Sequence, residues 1–536
     1  MTDLHASSRR QRHGPDPSQH DDVIADARRR RLVLAAMCVA LTAVMASVTG
    51  LNVAQQALAD DLGASQSELL WIINGYTLAL AALLLPIGAI GDRWGRKPVL
   101  LVGLIVLSLA NLASSVADDP GTLIALRVVA GVAAAMVMPV TLSVITTSFP
   151  REDQAKAIGT WAGFAGGGAI IGLFVSAAIV DNVTWPWVFA MPIALAATSF
   201  ALTAVAVPHS VEHPDGRFDV GGALLSALAV GGLVLAVHEG PERGWTDPVT
   251  VPAIVLGVVA AVAFVVVELR VAHPLLDVRI FALRGLAAGS VNLFIVFGVM
   301  FGLFLTLVQY LQAVLGYSAL SAASGLLPMA AVMMPLSTAA PTIAERVGFR
   351  RTLVLGMLLM AAGLGLLALL VDPDGGYLTV LPAILVLGAG VGLAMSPATA
   401  AITSSLPEEK QGVASALNDT VREMGGAVGI ALIGSVLNAS YRTSVKATAE
   451  RLPEAVAGPV SEGIGGALAV AARVGAEGAP LVEAARSAYV EGMAPALYLA
   501  AGLSLVGALY TALRGPKTAA EAEPRLHTAR DVEPVA

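Results

Sequence analysis

Three ionisable residues sit together in a stretch that is otherwise apolar: Asp419, Arg422 and Glu423, within the run 413–437. Arg127 lies inside a second such run, 122–144. A charge at mid-depth in a bilayer costs about 2.5–3.5 kcal/mol or more, so each group needs a partner, a wet cavity or an escape to the interface. Asp419 lies about 10 Å in from Gly412 at a helical rise of about 1.5 Å per residue. Its i,i+3 spacing from Arg422 allows an ion pair, leaving Glu423 as a candidate for taking up and releasing a proton. An ion cluster at a helix start accounts for the same residues equally well. For Arg127 the alternative is snorkelling to the outer interface.

A second group closes another apolar run: Asp92, Arg93, Gly95, Arg96 and Lys97. The C-terminal end of a helix disfavours an anion, so Asp92 must gain elsewhere, from the neighbouring cations or from the N-terminus of another helix. Gly95 allows the tight turn that holds them close. Such a loop either latches two parts of a molecule together or only sets its orientation. Among polar and aromatic residues, Asn52, Asn74, Tyr76 and Gln309 are candidates for touching a bulky amphipathic ligand, although each also fits ordinary helix packing or interfacial anchoring.

The composition says what must position these groups. Of 536 residues, 56% are apolar and 13% charged, with a mean hydropathy of +0.76; a soluble domain carries about 25% charged residues. Windows of roughly 20 apolar residues, broken by Pro, Gly and charge, predict fourteen spans. They lie near 32–54, 69–91, 98–117, 122–144, 157–180, 187–207, 220–238, 251–269, 286–308, 321–343, 352–371, 378–402, 413–437 and 491–513. Residues 1–31 read as a cytoplasmic disordered tail, 440–490 as a long, partly helical extracellular loop, and 515–536 as a second cytoplasmic tail. The first span directly follows Arg28–Arg31 and reads as uncleaved. Of the 32 Lys and Arg, 24 fall on the side of the N-terminus and six on the other. The positive-inside rule therefore puts both termini in the cytoplasm.

Two loops repeat. GAIGDRWGRKPVLLVG (88–103) matches PTIAERVGFRRTLVLG (341–356), pairing Asp92 with Glu345, Arg93 with Arg346, Gly95 with Gly348 and Lys97 with Arg350. ITTSFPREDQ (145–154) matches ITSSLPEEKQ (402–411). The chain thus reads as an all-α membrane protein built from two parallel six-helix bundles, 32–207 and 285–514, with two helices inserted between them in 208–284. Parallel repeats about an axis along the membrane normal are a layout used for alternating access. In span 5, Gly159, Gly163 and Gly167 form one i,i+4 row, and Gly168, Gly172 and Ser176 form another; small rows allow close helix packing.

The loop GAIGDRWGRK resembles the cytoplasmic signature of the major facilitator superfamily, Gly-x-x-x-Asp-Arg-x-Gly-Arg-Lys. The 6+2+6 layout is similar to its fourteen-span drug:proton antiporter (multidrug efflux) branch, as are LNVAQQAL (51–58), LLWIINGYTLA (69–79), LRVVAG (126–131) and VREMGGAVGIALIGSVL (421–437). The resemblance implies the major facilitator fold and a cytoplasmic latch at Asp92, Arg93, Arg96 and Lys97, echoed at Glu345 and Arg346. It also implies a proton-transfer role for Arg127. Two departures stand out. The branch commonly has an aspartate where alignment on Asn52-Val53-Ala54 puts Ser47, and its span-5 signature Gly-Pro-x-x-Gly-Gly reads here as Gly172-Leu173, with Ser176-Ala177 for the two glycines.

The expectation is a secondary transporter in a bacterial plasma membrane that exports hydrophobic or amphipathic molecules against protons, as a monomer. No phosphate-cradling Gly-rich loop ending Gly-Lys-Ser/Thr, no Gly-x-Ser-x-Gly nucleophile and no basic footprint for nucleic acid is present. Neither enzyme activity nor a cofactor or metal is expected. An importer or native-metabolite exporter, and a non-transporting receptor or scaffold, remain as alternatives.

Overall fold

A computed structural model describes residues 23–208 and 218–516; the two expected tails fall largely outside that range. The described residues form helices and no strand. Fourteen helices are long and apolar enough to cross a membrane. Spans 1–6 are Ala27–Asn52, Ser67–Trp94, Arg96–Ser114, Pro120–Ser148, Arg151–Asn182 and Trp185–Ala206. Spans 7 and 8 are Val220–Pro241 and Thr250–Glu268. Spans 9–14 are Arg284–Val314, Ala319–Val347, Phe349–Leu370, Tyr377–Thr403, Glu408–Ala449 and Ala479–Arg514.

Helix starts follow local chemistry. Ser65 and Glu68 form a reciprocal capping box at span 2. Asp119 caps span 4 by accepting from the Thr122 N–H at 2.8 Å, and Asp219 caps span 7 by accepting from Gly222 at 2.8 Å. Gly95 and Gly348, paired in the repeat, both turn the chain between spans at positive φ, +99° and +104°.

Packing repeats as the loops do. Spans 1–6 and 9–14 each form a bundle in which the first member packs on the fourth, fifth and sixth, and the third packs on the fourth and sixth. The bundles meet along two crossings, span 2 on span 13 and span 5 on span 10, which a two-fold exchange of the halves interconverts. Even the second echo repeats at the level of atoms: Gln154 donates its amide to Thr146 O, and Gln411 donates to Thr403 O at 3.0 Å. Spans 7 and 8 pair with each other, and span 7 lies against both span 2 and span 13.

Two expectations about boundaries need correction. The helix of span 1 begins at Ala27, so Arg28–Arg31 form its first turns instead of ending a tail. Residues 440–490, expected as a partly helical loop, are helical through most of their length. Span 13 continues as one helix to Ala449, span 14 starts at Ala479, and the helices Glu454–Glu462 and Ile464–Val474 fill the gap. Leu437, Tyr441, Val445 and Ala449 are buried at i,i+4 spacing while Arg442 and Lys446 are exposed. An amphipathic stripe of this kind lowers mean hydropathy without breaking the helix.

Candidate functional site

The span 2–span 13 crossing is closed at the end that carries the Asp92 loop. Asp92 accepts from the backbone N–H of Gly412 at 2.7 Å and of Val413 at 3.0 Å. These are free donors at the start of the span-13 helix, a ready anion site. Arg96 joins Asp92 at 3.1 Å and donates to Glu408 O at 3.1 Å. The backbones touch here: a Cβ on Gly88 would lie 2.5 Å from Gly412 O. Arg93 is half-buried on the same turn.

Lys97 departs from the latch expected of it. Its ammonium donates to Ala204 O at 2.9 Å and Val207 O at 2.8 Å, capping the C-terminal end of span 6 in its own half, where a cation is favoured. Arg350, its repeat partner, does the same for span 14 by donating to Gly515 O at 2.7 Å. Glu345 and Arg346 are exposed and, among the described residues, make no side-chain hydrogen bond or ion pair, so the structure does not place them in a latch.

Arg127 does not snorkel; it is 1% exposed. Its guanidinium donates to Ser47 O at 2.7 Å, Ser47 Oγ at 3.2 Å and Ile72 O at 3.2 Å, and lies 4.3 Å from the Tyr76 ring centre. Ser47 in turn donates to Asn111 Oδ1 at 3.0 Å. Among the described residues no carboxylate pairs with Arg127. Three oxygens and a π face hold a buried cation, with Ser47 standing beside it.

In span 13, Arg422 donates to Asp419 Oδ1 at 2.9 Å, and both side chains are fully enclosed. Asn418 also donates to that oxygen, at 3.1 Å. The Arg422 guanidinium lies 4.3 Å from the Phe297 ring of span 9 and 5.4 Å from the Trp161 ring of span 5. It therefore bridges elements of both halves by cation–π contact. Asp419 Oδ2, Arg422 Nε, Asn418 Oδ1 and Ser415 Oγ are buried without partners. Polar atoms left over in this way are able to bind water or take up a proton. Glu423 is half-buried next to this pair.

The glycine rows of span 5 have different partners. Gly159, Gly163 and Gly167 meet span 10 across the seam, where added Cβ atoms would lie 2.6 Å from Ser337 O, 3.2 Å from Met334 O and 2.5 Å from Met334 Sδ. Ser337 donates its hydroxyl to Gly159 O at 3.0 Å. Gly168 and Gly172 instead meet Thr42 and Ala46 of span 1 in their own half. The four residues expected to touch ligand do not share one wall. Asn52 is exposed at the end of span 1, Asn74 is half-buried, and Tyr76 is buried beneath Arg127 with its hydroxyl donating to Val44 O at 3.3 Å. Gln309 accepts from the Tyr489 hydroxyl at 3.1 Å and lines a separate cavity of about 290 Å³ with Asn438, Glu462 and Gly463. Trp161 and Phe297 join the site through tertiary contacts that spacing does not reveal, whereas Ser415 lies one helical turn before Asp419 on the same span.

A seam of this kind between two parallel bundles defines a membrane carrier. The chain matches the model of the Major Facilitator Superfamily over residues 35–430, and it belongs to that family. Among curated relatives, the chain is 36% identical to the puromycin resistance protein pur8 of Streptomyces alboniger over 438 residues, 79% of this chain and 82% of that one. It is 32% identical to the multidrug efflux pump LfrA of Mycolicibacterium smegmatis over 479 residues, 89% and 94% of the two chains. Of solved structures, the proton:xylose symporter XylE is similar with a TM-score of 0.59 at 12% identity, covering 92% of this chain and 98% of that one. At that identity the likeness concerns the fold.

Proposed function

We propose that this protein exports hydrophobic or amphipathic small molecules across a bacterial plasma membrane in exchange for protons, by alternating access, and thereby confers resistance to toxic compounds. In this reading both termini are cytoplasmic, the protein acts as a monomer, and it performs no covalent chemistry and uses no cofactor. Relatives named for puromycin resistance, multidrug efflux and tetracenomycin C export support the substrate class.

One observation carries the coupling. A single rod, span 13, receives Asp92 at its first turn and carries Asp419, Arg422 and Glu423 about 10–16 Å further along. A proton on Asp419 cancels its charge, and Arg422 then loses its ion pair while remaining between Phe297 and Trp161. A proton on Glu423 removes the adjacent negative charge. Either event changes the force between span 13 and the opposite half, and a rigid helix conveys that change to the latch. The membrane potential adds about 2.3 kcal/mol per charge moved per 100 mV.

Inverted vesicles carrying the protein, given an interior-acid gradient, take up the cationic dye ethidium and dissipate part of the gradient. The Glu423→Gln protein takes up ethidium with a flattened pH dependence. Uptake by the unmodified protein that ignores the imposed gradient overturns proton exchange.

A further inference from the structure

A cavity of about 530 Å³ lies off the seam, walled by Leu85 of span 2, Val230 of span 7, Phe264 of span 8 and Met424 of span 13. Its volume is within the range of small-ligand sites, about 300–1,000 Å³. The hydroxyls on its wall are used within their own helices: Ser226 donates to Ala223 O at 2.9 Å and Thr420 to Ala416 O at 2.8 Å. Only aliphatic and aromatic surface faces the space, except at one end. There Arg279 borders it from the loop after span 8, with its side chain 63% exposed.

Arg279 is held in place by two neighbours on its own loop and helix end and stays largely exposed. One Nη donates to Leu269 O at 3.0 Å, at the end of span 8. The other lies 3.6 Å from Asp277 Oδ1, which already accepts from the Arg279 backbone N–H at 3.0 Å. The surrounding loop adds exposed Arg270 and Arg284, against Asp277 as its one acid. An apolar slot with an exposed arginine at its mouth, on a loop that carries more basic than acidic residues, complements a molecule with an anionic head and a hydrocarbon tail. A cationic amphiphile would bring its charge against Arg279.

We propose that this cavity holds an acyl chain of an anionic phospholipid from the cytoplasmic leaflet, with its phosphate on Arg279, and that the bound lipid favours the latched conformation. Placing this rim in the cytoplasmic leaflet rests on the topology proposed above; the binding does not rest on the direction or coupling of transport. The link to conformation is geometric. Thr420 and Met424 each follow an acid of the polar pocket by one residue, so the chain packs on the back of the turn that carries Asp419 and Glu423. Span 7 reaches both span 2 and span 13 through Val230, Ala81 and Met424. A filled slot braces the very crossing that Asp92 locks.

The test uses the full-length protein in nanodiscs of phosphatidylglycerol or phosphatidylcholine, and native mass spectrometry after release from an equal mixture. Retained lipid is enriched in phosphatidylglycerol about fivefold, the weight of one basic side chain at an anionic surface. Arg279→Gln, which keeps a donor for Leu269 O but no charge, abolishes that enrichment. Ala261→Phe, which fills the slot, reduces retention of either lipid. Cysteine labelling near the latch is slower in phosphatidylglycerol than in phosphatidylcholine for the unmodified protein and equal for Arg279→Gln. Equal retention of the two lipids by the unmodified protein, or undiminished enrichment with Arg279→Gln, overturns the site. Loss of dye transport with lipid enrichment intact counts against the transport reading alone.

Discussion

A guanidinium buried without a carboxylate is the feature of this protein that most needs explaining. Arg127 survives because its planar fork reaches three oxygens at once while its face rests on Tyr76. Lysine has no such fork, so Arg127→Lys restores little of what Arg127→Ala loses. Arg127→Ala removes three hydrogen bonds from a charged donor and leaves a void over Tyr76, and a hydrogen bond to a charged group is worth about 1.5–3 kcal/mol. The expected result is a melting temperature in detergent several degrees lower for both variants; a lysine variant as stable as the parent contradicts the fork argument. Ser47→Asp tests the site from the other side. Its carboxylate arrives beside Nη1 and forces the Asn111 amide, now accepting from Ser47, to turn. A second titrating group then exists in the N-terminal half. Dye exchange by the Ser47→Asp, Glu423→Gln double variant regains a pH dependence that Glu423→Gln alone lacks. A flat profile in the double variant would show that the Arg127 pocket cannot carry a proton.

Among the elements, span 5 is the clearest case of a pattern that was readable and a partner that was not. Both glycine rows follow from i,i+4 spacing, yet their sequences do not say which one crosses the seam. Only the packing of span 10 and span 1 on opposite sides decides it. The consequences differ. Gly159→Ala drives a methyl into the Ser337 backbone carbonyl, which cannot yield without separating the halves, whereas Gly168→Ala meets Thr42 Oγ1 at 3.3 Å, a small side chain able to adjust. Transport by Gly159→Ala is expected to fall at least about tenfold, equivalent to about 1.4 kcal/mol, with the protein still monodisperse, while Gly168→Ala stays within about twofold; equal losses refute the assignment of faces. The same distinction separates what was legible elsewhere. Fourteen spans, their order and the duplicated loops were written in hydropathy and in residues held in register. The extension of span 13 to Ala449 was hidden, because an amphipathic stripe with Arg442 and Lys446 on its outer face looks like a broken span to any average. Electrostatics left Asp92 two kinds of partner, neighbouring cations or the N-terminus of another helix, and the fold shows that it takes both, Arg96 and the N–H groups of Gly412 and Val413. Lys97 misled because a cation in a signature loop fits a latch or a helix cap equally well until span 6 is in place.

At the scale of the molecule, the two crossings are equivalent by architecture and unequal in chemistry. The α-helix of span 13 starts at Gln411, after a 3-10 turn that carries Glu408 and Glu409, and its Gly412 and Val413 N–H groups receive Asp92. Span 5 carries Glu152 and Asp153 in its first turn, and Asp153 pairs with Arg30 at 3.1 Å. Glu345, by contrast, is exposed. Among the described residues the Asp92 crossing carries this carboxylate-to-helix contact and the Glu345 crossing does not. Asp92→Asn keeps one acceptor oxygen but turns an N–H₂ toward a backbone N–H, and it leaves Arg96 enclosed without its carboxylate. Removing one member of a buried pair costs about 3–5 kcal/mol, and the cost falls only on the latched state. A shift of about 5.5 kcal/mol is enough to carry a two-state equilibrium from 99:1 to 1:99, so the variant populates mainly the conformation open to the cytoplasm. Two measurements follow: a cysteine at Ala416 becomes reactive to a membrane-impermeant maleimide from the cytoplasmic side in Asp92→Asn, and net dye export stops although the protein is made and folded. Glu345→Gln, at the equivalent place in the other half, leaves labelling and export within about twofold of the parent. Equal damage from the two substitutions would mean that both crossings lock, and the difference between a docked Asp92 and an exposed Glu345 would then have no functional weight.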